Sequence, residues 1–460
     1  MSGSEREVLD PKFSDYLYAK EPTVKIYKGP RGSKSVANVL FGEWMKRLSP
    51  ADDMSERIKV RYRGGIGYVS CEDISNKRCL EVYFIDVDQG DSILIQTPDD
   101  RRILVDGGRS DAALNFIKNK YCLKKNYIDF DAVIATHCDN DHLDGLTKIL
   151  SHPKILVKRV YHNGLFQPIH ETDGRIVDLF DRPEAGPLSG MTETMKRFFK
   201  SVKKAEERWD IIIDKMLQDE RWQERLDLPE EGFVCKRLDA SDGYLPPYDN
   251  NNKYMTIEVL WPYAQQASYC WYTDPGKTVN GNSVVLKVIH GENSILLSGD
   301  LNEPSMEDVL LKYPQMGNKK SRLNSDVYKA AHHGSQHFSV DFLNAVKANA
   351  AVISSGDDRY DQHGHPRAVL LGTITRYSEV AAPAVFSTEL AACFRKLSQK
   401  EQKEFDKSQG QLYERAFRGI IHLRSDGKQM FLANVFGDKP SQDLFAQKKW
   451  GWDIWCKPYE

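Results

Sequence analysis

Two imidazoles and two carboxylates fall within six residues of this chain, in Thr136-His137-Cys138-Asp139-Asn140-Asp141-His142. Such side chains crowded together repel one another or compete for protons unless a cation sits between them, so the stretch reads as a metal-binding loop. The apolar run Phe130 to Ala135 before it reads as a buried strand, and Leu143 to Leu150 after it as a helix. A turn between them would aim His137, Asp139, Asp141 and His142 into one small volume. Nitrogen and oxygen ligands of this kind suit hydrolysis, in which a bound ion activates water and no organic cofactor is needed. Cys138 falls between the ligands and reads as a core contact. The plainer alternative is a surface turn rich in His and Asp.

A loop of this kind needs strands to hold it, and the flanking sequence offers them. Leu80 to Val87 reads as a strand and is followed by the turn Gln89-Gly90-Asp91-Ser92. Ile93 to Gln96 and Ile103 to Val105 form the next pair, ending at Asp106-Gly107-Gly108. Ser294 to Ser298 is another buried strand, with Asp300 just past its end. His332 and His333 follow Val327 to Ala331, also read as a strand. Neighbours on a strand face opposite ways, so one of the two is expected at the centre, and His333 is the choice. His162 follows Ile155 to Tyr161 and could bind a metal, orient a ligand or cap the turn at Asn163-Gly164.

Seven short blocks in order now carry a resemblance: Asp86-Val87-Asp88-Gln89-Gly90-Asp91-Ser92, Asp106-Gly107-Gly108, Thr136 to Gly145, Asn282 to Leu286, Leu297-Ser298-Gly299-Asp300, His332-His333-Gly334-Ser335 and Gly364-His365-Pro366. Together they resemble the metallo-β-lactamase-fold hydrolases, specifically the soluble relatives of the hydrolase domain of the DNA-uptake competence protein ComEC. The resemblance implies an α/β, four-layer αββα fold with two divalent ions at one edge of two packed sheets. It assigns His137 and Asp139 to one ion, Asp141 and His142 to the other, and Asp300 as the carboxylate bridging both. His333, or its neighbour His332, would close the set, with His162 a further candidate. Asp91 reads as an orienting residue, and Asp106 as its counterpart in the second block. His365 matches a motif histidine of that branch and would contact a phosphate oxygen or protonate the leaving group. The commoner pattern has histidine where this chain has Asp139. The aspartate makes the site harder and more anionic, so Mn²⁺ and Mg²⁺ join Zn²⁺ as expected metals.

The remainder bounds the setting. Residues 1–22 read as a polar tail and 23–78 as a small β-barrel, whose hairpin from Lys59 to Val69 resembles an SH3b domain. Residues 79–460 read as the hydrolase domain, with helical insertions at about 190–230 and 393–415. In the first, Met195, Phe198, Val202, Ala205, Trp209 and Ile212 recur at helical spacing among lysines and arginines. The basic positions could guide a nucleic-acid strand, although a solvated face explains them equally. Trp450, Trp452 and Trp455 in the last residues suggest docking onto this or another protein. A net charge of -2 excludes a strong general pull on nucleic acid, so any such contact must be local. Eight scattered cysteines without a CxxC pair fit reduced thiols, and no apolar run is long enough to span a membrane. The chain is expected in the cytoplasm, with an oligomer left open. The expected activity is a two-metal phosphodiesterase, foremost a DNA nuclease using a metal-bridged hydroxide, working beside a partner such as a defence or repair ATPase. A hydrolase of a small phosphodiester or phosphocholine group and a metal-stabilised binding module are the alternatives.

Overall fold

In the strand Leu80–Phe84, Leu80, Val82 and Phe84 enter one hydrophobic core while Tyr83 enters another, and Ile103 and Val105 part from Leu104 in the same way. Strands buried on both faces need cover on both, and the rest of the chain supplies it. The structure is a computed structural model that describes residues 16–49, 56–63, 65–165, 192–223, 226–263, 274–315, 320–356, 364–391, 400, 403, 415–437 and 450–456. A mixed nine-stranded sheet runs in spatial order Val234–Arg237, Arg159–His162, Ala132–Ala135, Arg102–Val105, Ile93–Gln96, Leu80–Phe84, Ile421–Ser425, Met430–Gly437, Trp450–Cys456. A six-stranded sheet runs Thr256–Trp261, Val285–His290, Asn293–Leu297, Val327–Lys329, Ala350–Ile353, Ala384–Ser387. Their inner faces meet in a core that includes Phe84, Ile134, Tyr161, Leu286, Leu297 and Val352. Helices Ala112–Lys120, Asn140–Leu150 and Glu193–Glu207 cover the outside of the larger sheet. Helices Glu303–Lys312, Val340–Val346 and Ala368–Arg376 cover the smaller one. The layers are therefore helix, sheet, sheet, helix.

Ahead of this body lies a seven-stranded antiparallel sheet built around Leu17, Val24, Ile26, Met45 and Val60. Its first strand, Tyr16–Ala19, lies within the residues read as tail, and pairing with Trp44 to Lys46 and with Ile74-Ser75 explains why. Phe41 joins Cys79 and Phe431 to seat this sheet on the larger one, with the two phenylalanine rings 4.3 Å apart.

Several element boundaries differ from those expected. The run Phe130 to Ala135 is broken at Asp131: Ile128–Phe130 pairs with Ile155–Val157, and Ala132–Ala135 joins the large sheet. The buried Asp131 carboxylate takes Lys158 Nζ at 2.7 Å and the Tyr248 hydroxyl at 3.0 Å, so the residue turns aside to meet them. The helix after the metal loop begins at Asn140 rather than Leu143, which places Asp141 and His142 in its first turn. The described residues of the first insertion form three helices, Glu193–Glu207, Trp209–Leu217 and Glu220–Gln223. The second, at 393–415, lies outside the described residues apart from Lys400, Lys403 and Arg415. Trp450–Cys456, read as a docking tail, is the edge strand paired with Met430–Gly437. No described helix is long and apolar enough to cross a membrane.

Candidate metal centre

The centre forms where strand ends of both sheets converge. Beyond Val105, Asp106 turns with φ 57°, and its carboxylate is fully buried. It accepts from the Thr136 amide at 2.8 Å and the Thr136 hydroxyl at 2.7 Å, and meets His142 Nδ1 at 2.8 Å. That last contact leaves His142 Nε2 aimed into the centre, 3.4 Å from Asp300 Oδ2. Close backbone approach holds the frame. A Cβ on Gly145 would stand 1.8 Å from the Gly107 oxygen, and one on Gly90 would stand 1.9 Å from the Asp141 oxygen.

From the second sheet, Asp300 follows the strand Asn293–Leu297, and its amide donates to Ser283 Oγ at 3.1 Å. His333 Nδ1 lies 3.1 Å from the Ser354 carbonyl, which turns Nε2 to within 3.1 Å of Asp300 Oδ2 and 3.4 Å of Asp141 Oδ2. His137 Nδ1 lies 3.0 Å from Thr136 Oγ1 and 3.3 Å from Ser283 Oγ. Its Nε2 stands 3.6 Å from Asp139 Oδ2 and 4.0 Å from Asp300 Oδ2. The expected ligands thus fall into two groups around Asp300: His137 with Asp139, and His142 with Asp141 and His333.

The donor set fits a metal. His137, His142 and His333 each bury an Nε2, and Asp300 and Asp91 each bury an Oδ1, that has no hydrogen-bond partner among the described residues. Two ligands about 2.1 Å from a shared tetrahedral ion stand roughly 3.4 Å apart, which is the spacing seen between His142, His333, Asp141 and Asp300. One ligand atom each from Asp91, His142, Asp300 and His333 lies within 4.8 Å of the others. Burial opposes the charge on His142 and His333, but the Asp300 carboxylate beside both outweighs it and raises their pKa well above the ordinary value.

His333 takes the inner place for a reason other than strand alternation. The strand ends at Lys329, and both histidines lie in a tight turn with left-handed φ of 49° and 51°. His332 points elsewhere: its Nε2 is 3.5 Å from Asn280 Nδ2 and its ring centroid 5.9 Å from that of His365. His162 is buried, and its Nδ1 accepts from the Gly164 amide at 2.9 Å, the turn-capping contact. Among the described residues no contact joins it to Asp300, His137 or His142. Burial first, and then Arg237, lowers its pKa to about 3. Tyr360 and His363, near His365 in sequence, lie outside the described residues.

Reading the sequence passed over Lys329. Its ammonium is fully buried, bonded to Asp91 Oδ2, 3.3 Å from the Gly299 oxygen and 4.0 Å from Asp300 Oδ1. It holds Asp91 in place and adds a fixed positive charge to a crowded group of carboxylates. The signal was present: a single lysine interrupts the apolar run Val327 to Ala331.

The metallo-beta-lactamase superfamily pattern matches residues 85–213. ComE operon protein 3 of Bacillus subtilis is 25% identical over 314 residues, 65% of this chain and 31% of that protein. Competence protein ComA of Neisseria gonorrhoeae is 44% identical over 78 residues, 17% of this chain and 10% of that one. The chain thus spans a third or less of the length of these curated relatives. Among solved structures, a putative metal-dependent hydrolase from Parabacteroides distasonis aligns at 12% identity with a TM-score of 0.29, covering 72% of this chain and 97% of that one. CmlA, a diiron beta-hydroxylase from Streptomyces venezuelae, aligns at 12% identity and a TM-score of 0.33, covering 67% and 52%. The chain has the metallo-β-lactamase fold, and the superfamily match falls on the part of it that carries His137, Asp139, Asp141 and His142.

Proposed function

We propose that the chain is a metal-dependent phosphodiesterase that cleaves DNA. The observation carrying this reading is the convergence on Asp300 Oδ2 of three histidine Nε2 atoms that make no hydrogen bond among the described residues, with Asp139 and Asp141 on the more open side. His137, Asp139, Asp141, His142, Asp300 and His333 would hold two divalent ions, Mn²⁺ or Zn²⁺ with Mg²⁺ as a further candidate. When bound, such ions supply an activated water and a Lewis acid for the phosphorus centre.

The chain's own residues do the rest. Asp106 fixes the orientation of His142, and Lys329 holds Asp91 while offsetting the negative charge of the ligand set. His365, whose ring lies beside His332, would transfer a proton to the leaving oxygen. The helix Glu193–Glu207 packs against the helix that carries Asp141 and His142, and Arg197 reaches Asp144 at 2.7 Å. Its exposed Lys200, Lys203 and Lys204 give a local cationic track suited to a phosphate backbone, although the chain as a whole is near neutral. The resemblance to the ComEC-like branch favours DNA over other phosphodiesters. Action beside a partner ATPase belongs to the same proposal.

The test is cleavage of labelled single- and double-stranded DNA by the purified chain with Mn²⁺, beside Asp141→Ala and His142→Ala. Cleavage should fall to background in both variants. Activity surviving both removes the proposed centre, and metal binding without cleavage of any phosphodiester favours a binding module.

A further inference from the structure

A second polar site lies between the N-terminal sheet and the outer face of the large sheet. The strands Leu80–Phe84 and Ile421–Ser425 turn Glu81, Tyr83, His422 and Arg424 toward the N-terminal sheet, opposite to the inter-sheet core. Together with Lys120, at the end of its helix, they line a cavity of about 430 Å³, a volume typical of small-molecule sites. The cavity has firm walls. Gly42 turns there with φ 70°, where a Cβ would stand 2.8 Å from Arg424 Cδ, and Arg424 donates to the Phe41 carbonyl at 3.1 Å.

Among the described lining residues, cations outnumber carboxylates. Arg63, Arg78, Lys120 and Arg424 face Glu43 and Glu81. Arg63 pairs with Glu43 at 2.5 Å and Arg78 with Asp100. Glu81 Oε2 stands 3.0 Å from His422 Nε2 and 3.9 Å from Arg424 Nε. Lys120 remains. Its one hydrogen bond among the described residues is to the Tyr83 hydroxyl at 2.7 Å, and no carboxylate there lies within 4.0 Å of it. That hydroxyl donates in turn to Glu81 Oε2 at 2.5 Å, so it stays neutral toward the lysine. Burial lowers the Lys120 pKa to about 8. Glu81, the nearest carboxylate, reaches this part-buried ammonium only through the phenol, so a direct place for an anion is left on the cavity side.

The rings around it narrow the class. Tyr83 and His422 stack at 3.9 Å, Lys120 Nζ lies 4.0 Å from the Tyr83 ring centre, and Phe116, Tyr121 and Trp44 also face the space. Flat aromatic walls favour a planar ring beside the anionic group. We propose that this cavity binds a small phosphate-bearing molecule with a planar ring, a mononucleotide in type, with its phosphate on Lys120. The strands lining the cavity carry these residues on their outer face, whereas the candidate metal ligands lie in the loops and the first helical turn beyond the strand ends. The site is thus separate from the metal centre and independent of the nuclease proposal.

Calorimetric titration of the full chain in EDTA tests it, with AMP, adenosine and inorganic phosphate as probes. AMP should bind at one per chain, with adenosine and phosphate each about tenfold or more weaker. Lys120→Gln should weaken AMP by about tenfold or more, Lys120→Arg should restore most of it, and His142→Ala should leave it unchanged. On the unaltered protein, AMP should shield Lys120 from an amine-reactive label read by mass spectrometry, a measurement that does not depend on any variant folding. The proposal is overturned if AMP neither gives heat at millimolar concentration nor shields Lys120. It is likewise overturned if Lys120→Gln binds AMP within about twofold of the parent, or if His142→Ala abolishes binding and so places AMP at the metal centre.

Discussion

Asp106→Asn changes one buried atom and should invert the histidine on which the centre turns. The carboxylate takes three contacts, from the Thr136 amide at 2.8 Å, the Thr136 hydroxyl at 2.7 Å and His142 Nδ1 at 2.8 Å. Asparagine can keep its carbonyl on the Thr136 amide, but its NH₂ then faces two groups that had been donating. The neutral imidazole relieves this conflict by carrying its proton on Nε2, where it has no lone pair left for a metal. Losing an orienting carboxylate of this kind typically weakens metal binding about 10- to 100-fold, or roughly 1.4–2.7 kcal/mol. The metal-free protein should lose about 1.5–3 kcal/mol as well, the worth of one hydrogen bond to a charged group. Chelator competition with Mn²⁺ or Zn²⁺ measures the first effect and urea unfolding in EDTA the second. Imidazole ¹⁵N shifts report which nitrogen carries the proton. Metal affinity within about twofold of the parent, with Nε2 of the metal-loaded variant still unprotonated, would refute the orienting role of Asp106.

Two further perturbations probe the frame. Gly145→Ala replaces a poor helix former by the best one, a gain of about 1 kcal/mol in an open helix. Here its Cβ would lie 1.8 Å from the Gly107 oxygen, so a net loss of about 1–3 kcal/mol and a lower metal affinity are expected, read by thermal unfolding and metal titration. Asp131→Ala removes a carboxylate shared by Lys158, Arg101 and Tyr248 and should cost about 3 kcal/mol in urea unfolding, since Lys158 keeps Asp129 at 2.9 Å. Burial alone would raise the Asp131 pKa, but Lys158 and then Arg101 lower it below the ordinary value. Its contribution is therefore present above the unfolded pKa near 3.9 and lost as pH falls through the lower folded one, so the gap between parent and variant should close in acid.

The sequence by itself brought four of the candidate ligands together and marked the strands of the layers that carry them. His137, Asp139, Asp141 and His142 are neighbours in the chain, and a short link between a buried strand and a helix leaves their side chains little choice of direction. Alternating and continuous apolar runs likewise gave the strands, because burial on one face or both leaves its period in the residue types. Boundaries were less legible where a polar residue with a distant partner interrupts a run, as Asp131 does for Lys158 and Tyr248. The tertiary structure alone decided which histidine of His332-His333 turns inward, since two left-handed residues replace the alternation of a strand. It also decided that Lys329 lies against Asp91, 238 residues away, and that Lys120 faces a cavity roofed by the N-terminal sheet. The reason is one of range: the position of a charge within a strand shows that it is buried, but its partner depends on which strand ends and sheets the fold brings together, and that is not written locally.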